Sequence, residues 1–114
     1  MPYLMVQTNT IVDNDAAQSF ISKASSTVSK LLGKPENYVM VSLQPSAPMV
    51  FAGSNAPAGY LELKSIGLPE QTCAELSSVL CQLVSEELGI EKDRIYIEFA
   101  NAERHMWGWN GKTF

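Results

Sequence analysis

Leu32-Gly33-Lys34-Pro35-Glu36-Asn37-Tyr38-Val39-Met40-Val41 and Leu88-Gly89-Ile90-Glu91-Lys92-Asp93-Arg94-Ile95-Tyr96-Ile97 follow one plan. Each is a Leu-Gly pair, a short polar connection and a run rich in β-branched residues. Glycine at that point predicts a helix closed by a left-handed C-cap. Upstream of the first copy, Ala17, Phe20, Ile21, Ala24, Val28, Leu31 and Leu32 fall at helical spacing, with Asp13 or Asn14 available as the N-cap. Upstream of the second, Cys73, Leu76, Leu80, Leu83, Val84 and Leu88 do the same, entered through Pro69 and closed by Gly89.

Working outward, each helix is preceded by another strand-like run. These are Tyr3-Leu4-Met5-Val6-Gln7-Thr8 and Tyr60-Leu61-Glu62-Leu63-Lys64-Ser65-Ile66, the second alternating apolar and polar. The chain therefore reads β-α-β, a middle segment, β-α-β, a pseudo-repeat over 2–45 and 58–101 within one domain, 1–114. Each crossover sets two strands parallel with a helix on one face. The expected fold is α+β: a four-stranded sheet with two helices on one face. The runs Val39-Met40-Val41 and Ile95-Tyr96-Ile97 predict apolar side chains on both faces. No third layer remains to cover the far face, so self-association is expected.

The bulk properties agree with one small folded unit. The chain has 114 residues, 46% of them hydrophobic and 18% charged, too apolar for disorder. Eight Lys+Arg against twelve Asp+Glu give a net charge of −4 and a pI near 4.8. The cations are scattered, so neither nucleic acid nor an anionic membrane surface is expected as a partner. The first cation is Lys23, which leaves no basic segment ahead of an apolar run to act as a secretory signal. The uncharged stretch from Asn37 to Leu61 is broken by three prolines and two glycines and predicts no membrane span. A cytoplasmic location is expected, with non-classical secretion left open. Cys73 and Cys81, if on one helix, lie roughly 12 Å apart along its axis, beyond disulfide reach.

Met1-Pro2 leads a hydrophobic strand ending Thr8-Asn9, and Gly33-Lys34-Pro35 is followed by Tyr38. Then come Phe51-Ala52-Gly53-Ser54, Ser65-Ile66-Gly67, Asp93-Arg94-Ile95-Tyr96-Ile97, and Gly108-Trp109-Asn110 closing with Thr113-Phe114. With these stretches in order over essentially the whole chain, the sequence resembles the macrophage migration inhibitory factor family of the tautomerase superfamily. The resemblance implies a homotrimer in which three sheets close into a barrel with the helices outside. It also implies a cofactor-independent keto–enol tautomerase, an isomerase acting on small aromatic 2-oxo acids or enols such as phenylpyruvate or dopachrome-type substrates. The alternative is a cytokine-like signalling or binding trimer with weak or vestigial activity.

The chemistry follows from Pro2. Once Met1 is excised, which a small second residue permits, Pro2 carries a rigid secondary amine at the head of a strand. An α-amino group titrates at ~7.7–8.0, and an apolar site lowers that by penalising the ammonium. The amine is then neutral and basic at neutral pH, as a general base must be, and its conjugate acid can return the proton. The resemblance implies that Lys34 binds the substrate carboxylate as a point charge. It implies that Ile66, with Ser65 beside it, offers a backbone N–H, and that Tyr96 reaches the pocket from a neighbouring subunit. Tyr38, Trp109 and Phe114 are implied as aromatic walls. Read by themselves, these residues are a loop lysine, a strand end, a sheet tyrosine and interface anchors.

Three departures qualify the resemblance. Glu98 stands where the family's best-studied members carry an asparagine, and a carboxylate there would repel an anionic substrate and raise the Pro2 pKa. Trp107 replaces a smaller aliphatic and is expected to narrow the mouth. Ala58-Gly59-Tyr60-Leu61 replaces the family's CxxC, which removes the thiol chemistry. Elsewhere the chain is quiet. His105 is its one histidine, so neither a histidine triad nor a multi-histidine metal site is expected.

Overall fold

The computed structural model describes residues 1–114. Strand β1 spans Tyr3–Thr8, helix α1 Asn14–Leu32, strand β2 Met40–Gln44 and strand β3 Gly59–Ile66. Helix α2 spans Cys73–Leu88 and strand β4 Ile95–Ala102, followed by two short strands, β5 (Gly108–Trp109) and β6 (Lys112–Thr113). The four long strands form one sheet in the order β2-β1-β3-β4. Within each β-α-β unit the strands are parallel, and the central β1–β3 pair that joins the units is antiparallel.

Local chemistry accounts for the helix ends. Asp13 is the N-cap of α1, its carboxylate accepting from the Ala16 N–H at 2.8 Å. Gly33 and Gly89 close the two helices at φ 62° and 71°, left-handed values that favour glycine. One stripe of each helix is buried: Phe20, Ala24 and Val28 on α1, and Leu76, Leu80 and Val84 on α2. They pack on Leu4, Val6, Leu61 and Leu63, the inward alternates of the two central strands. Both cysteines lie on α2 and are free.

The other face of the sheet differs in part from the sequence-based expectation. The alternates there are Tyr3, Met5 and Gln7 on β1, and Tyr60, Glu62 and Lys64 on β3. They stand in register with Met40, Ser42 and Gln44 on β2 and with Tyr96, Glu98 and Ala100 on β4. Apolar and polar groups are therefore mixed on this face. Tyr3 and Ser42 share a hydroxyl bond of 2.7 Å, and Gln7 donates to Gln44 at 3.3 Å. Val39, counted with the apolar run, precedes β2, and Val41 and Ile97 turn to the helix side. Met40 and Tyr96 remain 65% and 64% exposed, the large apolar groups of an otherwise amphipathic surface.

The segment between β2 and β3 has no long element. It is held from a distance by Arg94, which donates to the carbonyls of Pro57, Phe51, Ser54 and Ala56 at 2.8–3.1 Å. The guanidinium also lies 5.2 Å from the centre of the Phe51 ring. No helix is long and apolar enough to cross a membrane.

Candidate active site

The start of β1 and the end of the chain meet at one cavity of about 560 Å³. Met1, Pro2 and Tyr3 form one wall, and Asn37 to Met40 the second. Met106, Trp107, Gly108, Trp109 and Phe114 form the third, with Lys64 at the side. Pro2 is fully buried, and its carbonyl accepts from the Met40 N–H at 3.0 Å, which ties the strand start to the start of β2.

The aromatic wall is built by a hairpin. Asn110 and Gly111, at φ 53° and 75°, make a two-residue turn with both central residues left-handed, and β5 and β6 pair around it. The turn carries Trp109 onto Phe114, their rings stacked 5.6 Å apart and 13° from parallel. Tyr38 meets both edge-on, at 5.8 and 6.1 Å. The Phe114 N–H donates to the Trp107 carbonyl at 3.2 Å, which closes the wall.

The terminal amine, on Met1, donates to the Tyr38 carbonyl at 3.1 Å. Its pKa is lowered from the ordinary 8.0, first by desolvation and then by the positive charge of Lys34. Basicity is thus tuned at this end of the chain by both low polarity and a nearby cation.

Of the residues singled out in the sequence, Pro2, Tyr38, Trp109 and Phe114 come together at the cavity, and Trp107 joins them. Lys34 lies near enough to act on the terminal amine, but its Nζ donates to the Ile66 carbonyl at 3.3 Å and does not line the cavity. Ser65 and Ile66 are buried at the end of β3, with the Ser65 hydroxyl donating to the Ile66 carbonyl at 3.4 Å. Tyr96 packs on Phe51 at 4.7 Å, and Glu98 stands opposite Glu62 in the β3–β4 register. Within one chain both lie off the cavity. Glu98 instead acts on Tyr60, whose pKa is raised from 10.0 by desolvation, by its 3.0 Å hydrogen bond to Glu62 and by the charges of Glu62 and Glu98.

Sequence reasoning missed Lys64, Tyr3 and Met106 as lining residues. Lys64 was visible as the polar alternate before Ser65-Ile66, and Asn110-Gly111 is the usual signal of a tight hairpin. Met106 carried no signal, because it sits in a single 3-10 turn (Arg104–Met106) placed by the hairpin that follows. His105 lies in the same turn, exposed and 3.3 Å from Glu103.

The family described as Macrophage migration inhibitory factor (MIF) matches residues 1–114. The chain is 41% identical to a macrophage migration inhibitory factor homolog of Brugia malayi over all of this chain and 99% of that protein. It is 34% identical to the macrophage migration inhibitory factor of Mus musculus, with the same coverage. Among solved structures, a macrophage migration inhibitory factor homologue from Prochlorococcus marinus superposes with a TM-score of 0.94 at 43% identity, covering 98% of each chain.

Proposed function

Since the chain belongs to the macrophage migration inhibitory factor family, we propose that it is a cofactor-independent keto–enol tautomerase of small aromatic 2-oxo acids. Pro2, freed by removal of Met1, is the general base and then the general acid. One observation carries this reading: the terminal amine lies at a cavity walled by Pro2, Tyr38, Trp109 and Phe114, with its pKa below the ordinary value. Desolvation and Lys34 act within one residue of the Pro2 nitrogen, and the same two causes would lower the pKa of a processed amine there. It takes a proton from the enol oxygen, or from the carbon beside the carbonyl, and the resulting ammonium returns it to the other atom. No electrons are exchanged, so no redox cofactor is required.

In this reading the working molecule is a homotrimer. Lys34 balances the substrate carboxylate, the Ile66 backbone with Ser65 borders the site, and a neighbouring subunit supplies Tyr96 and Glu98. The amphipathic open face of the sheet and its exposed Met40 and Tyr96 fit burial between subunits.

The test is the decay of phenylpyruvate enol, followed optically with Met1-processed protein and with Pro2→Ala. The expected result is enol decay well above the buffer rate that Pro2→Ala loses by about two orders of magnitude or more, the usual contribution of a positioned proton-transfer group. Equal rates for the two proteins would remove Pro2 as the base.

A further inference from the structure

Lys64 carries the one formally charged side chain in the cavity lining. The β1–β3 register sets it beside Tyr3, the residue after Pro2. Its closest acidic neighbour is Glu62, 3.6 Å away, and the two side chains are 46% and 26% exposed. That is a loose, solvated pair, and such pairs hold a lysine weakly. The Glu62 carboxylate already accepts the Tyr60 hydroxyl at 3.0 Å. Lys34 gives one of its three donors to the Ile66 carbonyl and does not line the cavity. Lys64 is the lysine that does.

An ammonium on a flexible stem beside stacked aromatic rings suits a ligand that is flat and apolar at one end and anionic at the other. We propose that Lys64 is a further substrate-binding, specificity-determining residue that, together with Lys34, receives the carboxylate of an aromatic carboxylic acid whose ring lies against Tyr38, Trp109 and Phe114. The inference deepens the tautomerase reading and rests on it for the reacting ligand, whereas binding itself can be measured without turnover.

The experiment uses full-length, Met1-processed protein and cinnamate, an aromatic carboxylate that cannot enolise, with its methyl ester as the uncharged probe. Quenching of tryptophan emission reports occupancy of the wall that holds Trp107 and Trp109. Lys64→Met keeps the aliphatic length and removes the charge, and Lys64→Arg keeps the charge. Lys64→Met is expected to weaken cinnamate about tenfold, the scale of one charge-assisted contact. The ester should bind both proteins alike, and Lys64→Arg should restore cinnamate. In the enol assay Lys64→Met should raise KM with kcat nearly unchanged. Equal cinnamate affinity in wild type and Lys64→Met, an equal loss for the ester, or no binding by wild type would each overturn the proposal. Charge-dependent cinnamate binding without enol turnover would sustain Lys64 and remove the tautomerase reading instead.

Discussion

At the scale of single residues, the structure turns on which charges reach which proton. Desolvation and Lys34 lower the terminal amine. The same two causes acting on a freed Pro2 amine would keep it unprotonated to lower pH, so the acidic limb of kcat/KM should lie below that of an unperturbed prolyl amine. Lys34→Gln removes one cause and should move that limb upward, while desolvation keeps it from returning fully; an unmoved limb would detach Lys34 from the amine. Glu98 acts in the opposite sense wherever it meets the site, so Glu98→Asn should speed enol turnover in the trimer. Tyr60 offers a check independent of activity. Its pKa is raised, so it holds its proton more tightly when folded, and that part of the stability is lost as pH climbs from 10.0 through the folded value. An alkaline absorbance titration should show one tyrosine ionising late, and Glu62→Gln should bring it earlier.

At the scale of elements, legibility followed locality. Helices, their caps and the four long strands were readable because each is written in consecutive residues: a capping Asp13, an apolar stripe, a closing glycine. The two glycine caps have open space where a Cβ would go, so only the backbone conformation opposes a side chain there. Gly89→Ala should therefore cost about 1–2 kcal/mol in urea denaturation, the penalty of an L-residue in the left-handed region. The segment after β2 was not readable, because what orders it is Arg94, nearly forty positions later for most of its contacts. Arg94→Ala strands four carbonyls and should cost about 1–3 kcal/mol, with faster proteolysis within residues 51–57. Cleavage no faster than in wild type would show that this segment orders itself. The C-terminal hairpin was readable in principle from Asn110-Gly111, yet its consequence, the stacking of Trp109 on Phe114, depends on tertiary placement and could not be read from two turn residues.

At the scale of the whole molecule, the parallel crossovers were implied by the repeat, but the antiparallel β1–β3 junction was not. Nothing local distinguishes it from other ways of joining two units. The junction leaves β2 and β4 as the outer strands, where backbone groups lack partners within the chain. The expected assembly is three copies of the 12.5 kDa chain, and native mass spectrometry decides it. A monomer at working concentration would leave Tyr96 away from any cavity and remove it, with Glu98, from the site. The candidate site was legible to the same extent. Pro2 and the aromatic residues line one cavity within a single chain, whereas residues assigned to a neighbouring subunit cannot meet the cavity within a single chain.

The cavity is walled by residues 1–3 on one side and by 106–109 and 114 on the other. That placement has a practical consequence for anyone who labels the protein. A purification tag fused ahead of Pro2 turns the amine into an amide and abolishes its basicity, and a fluorescent protein joined after Phe114 crowds the stacked rings. If Pro2 is the base proposed above, either fusion is expected to lower enol turnover.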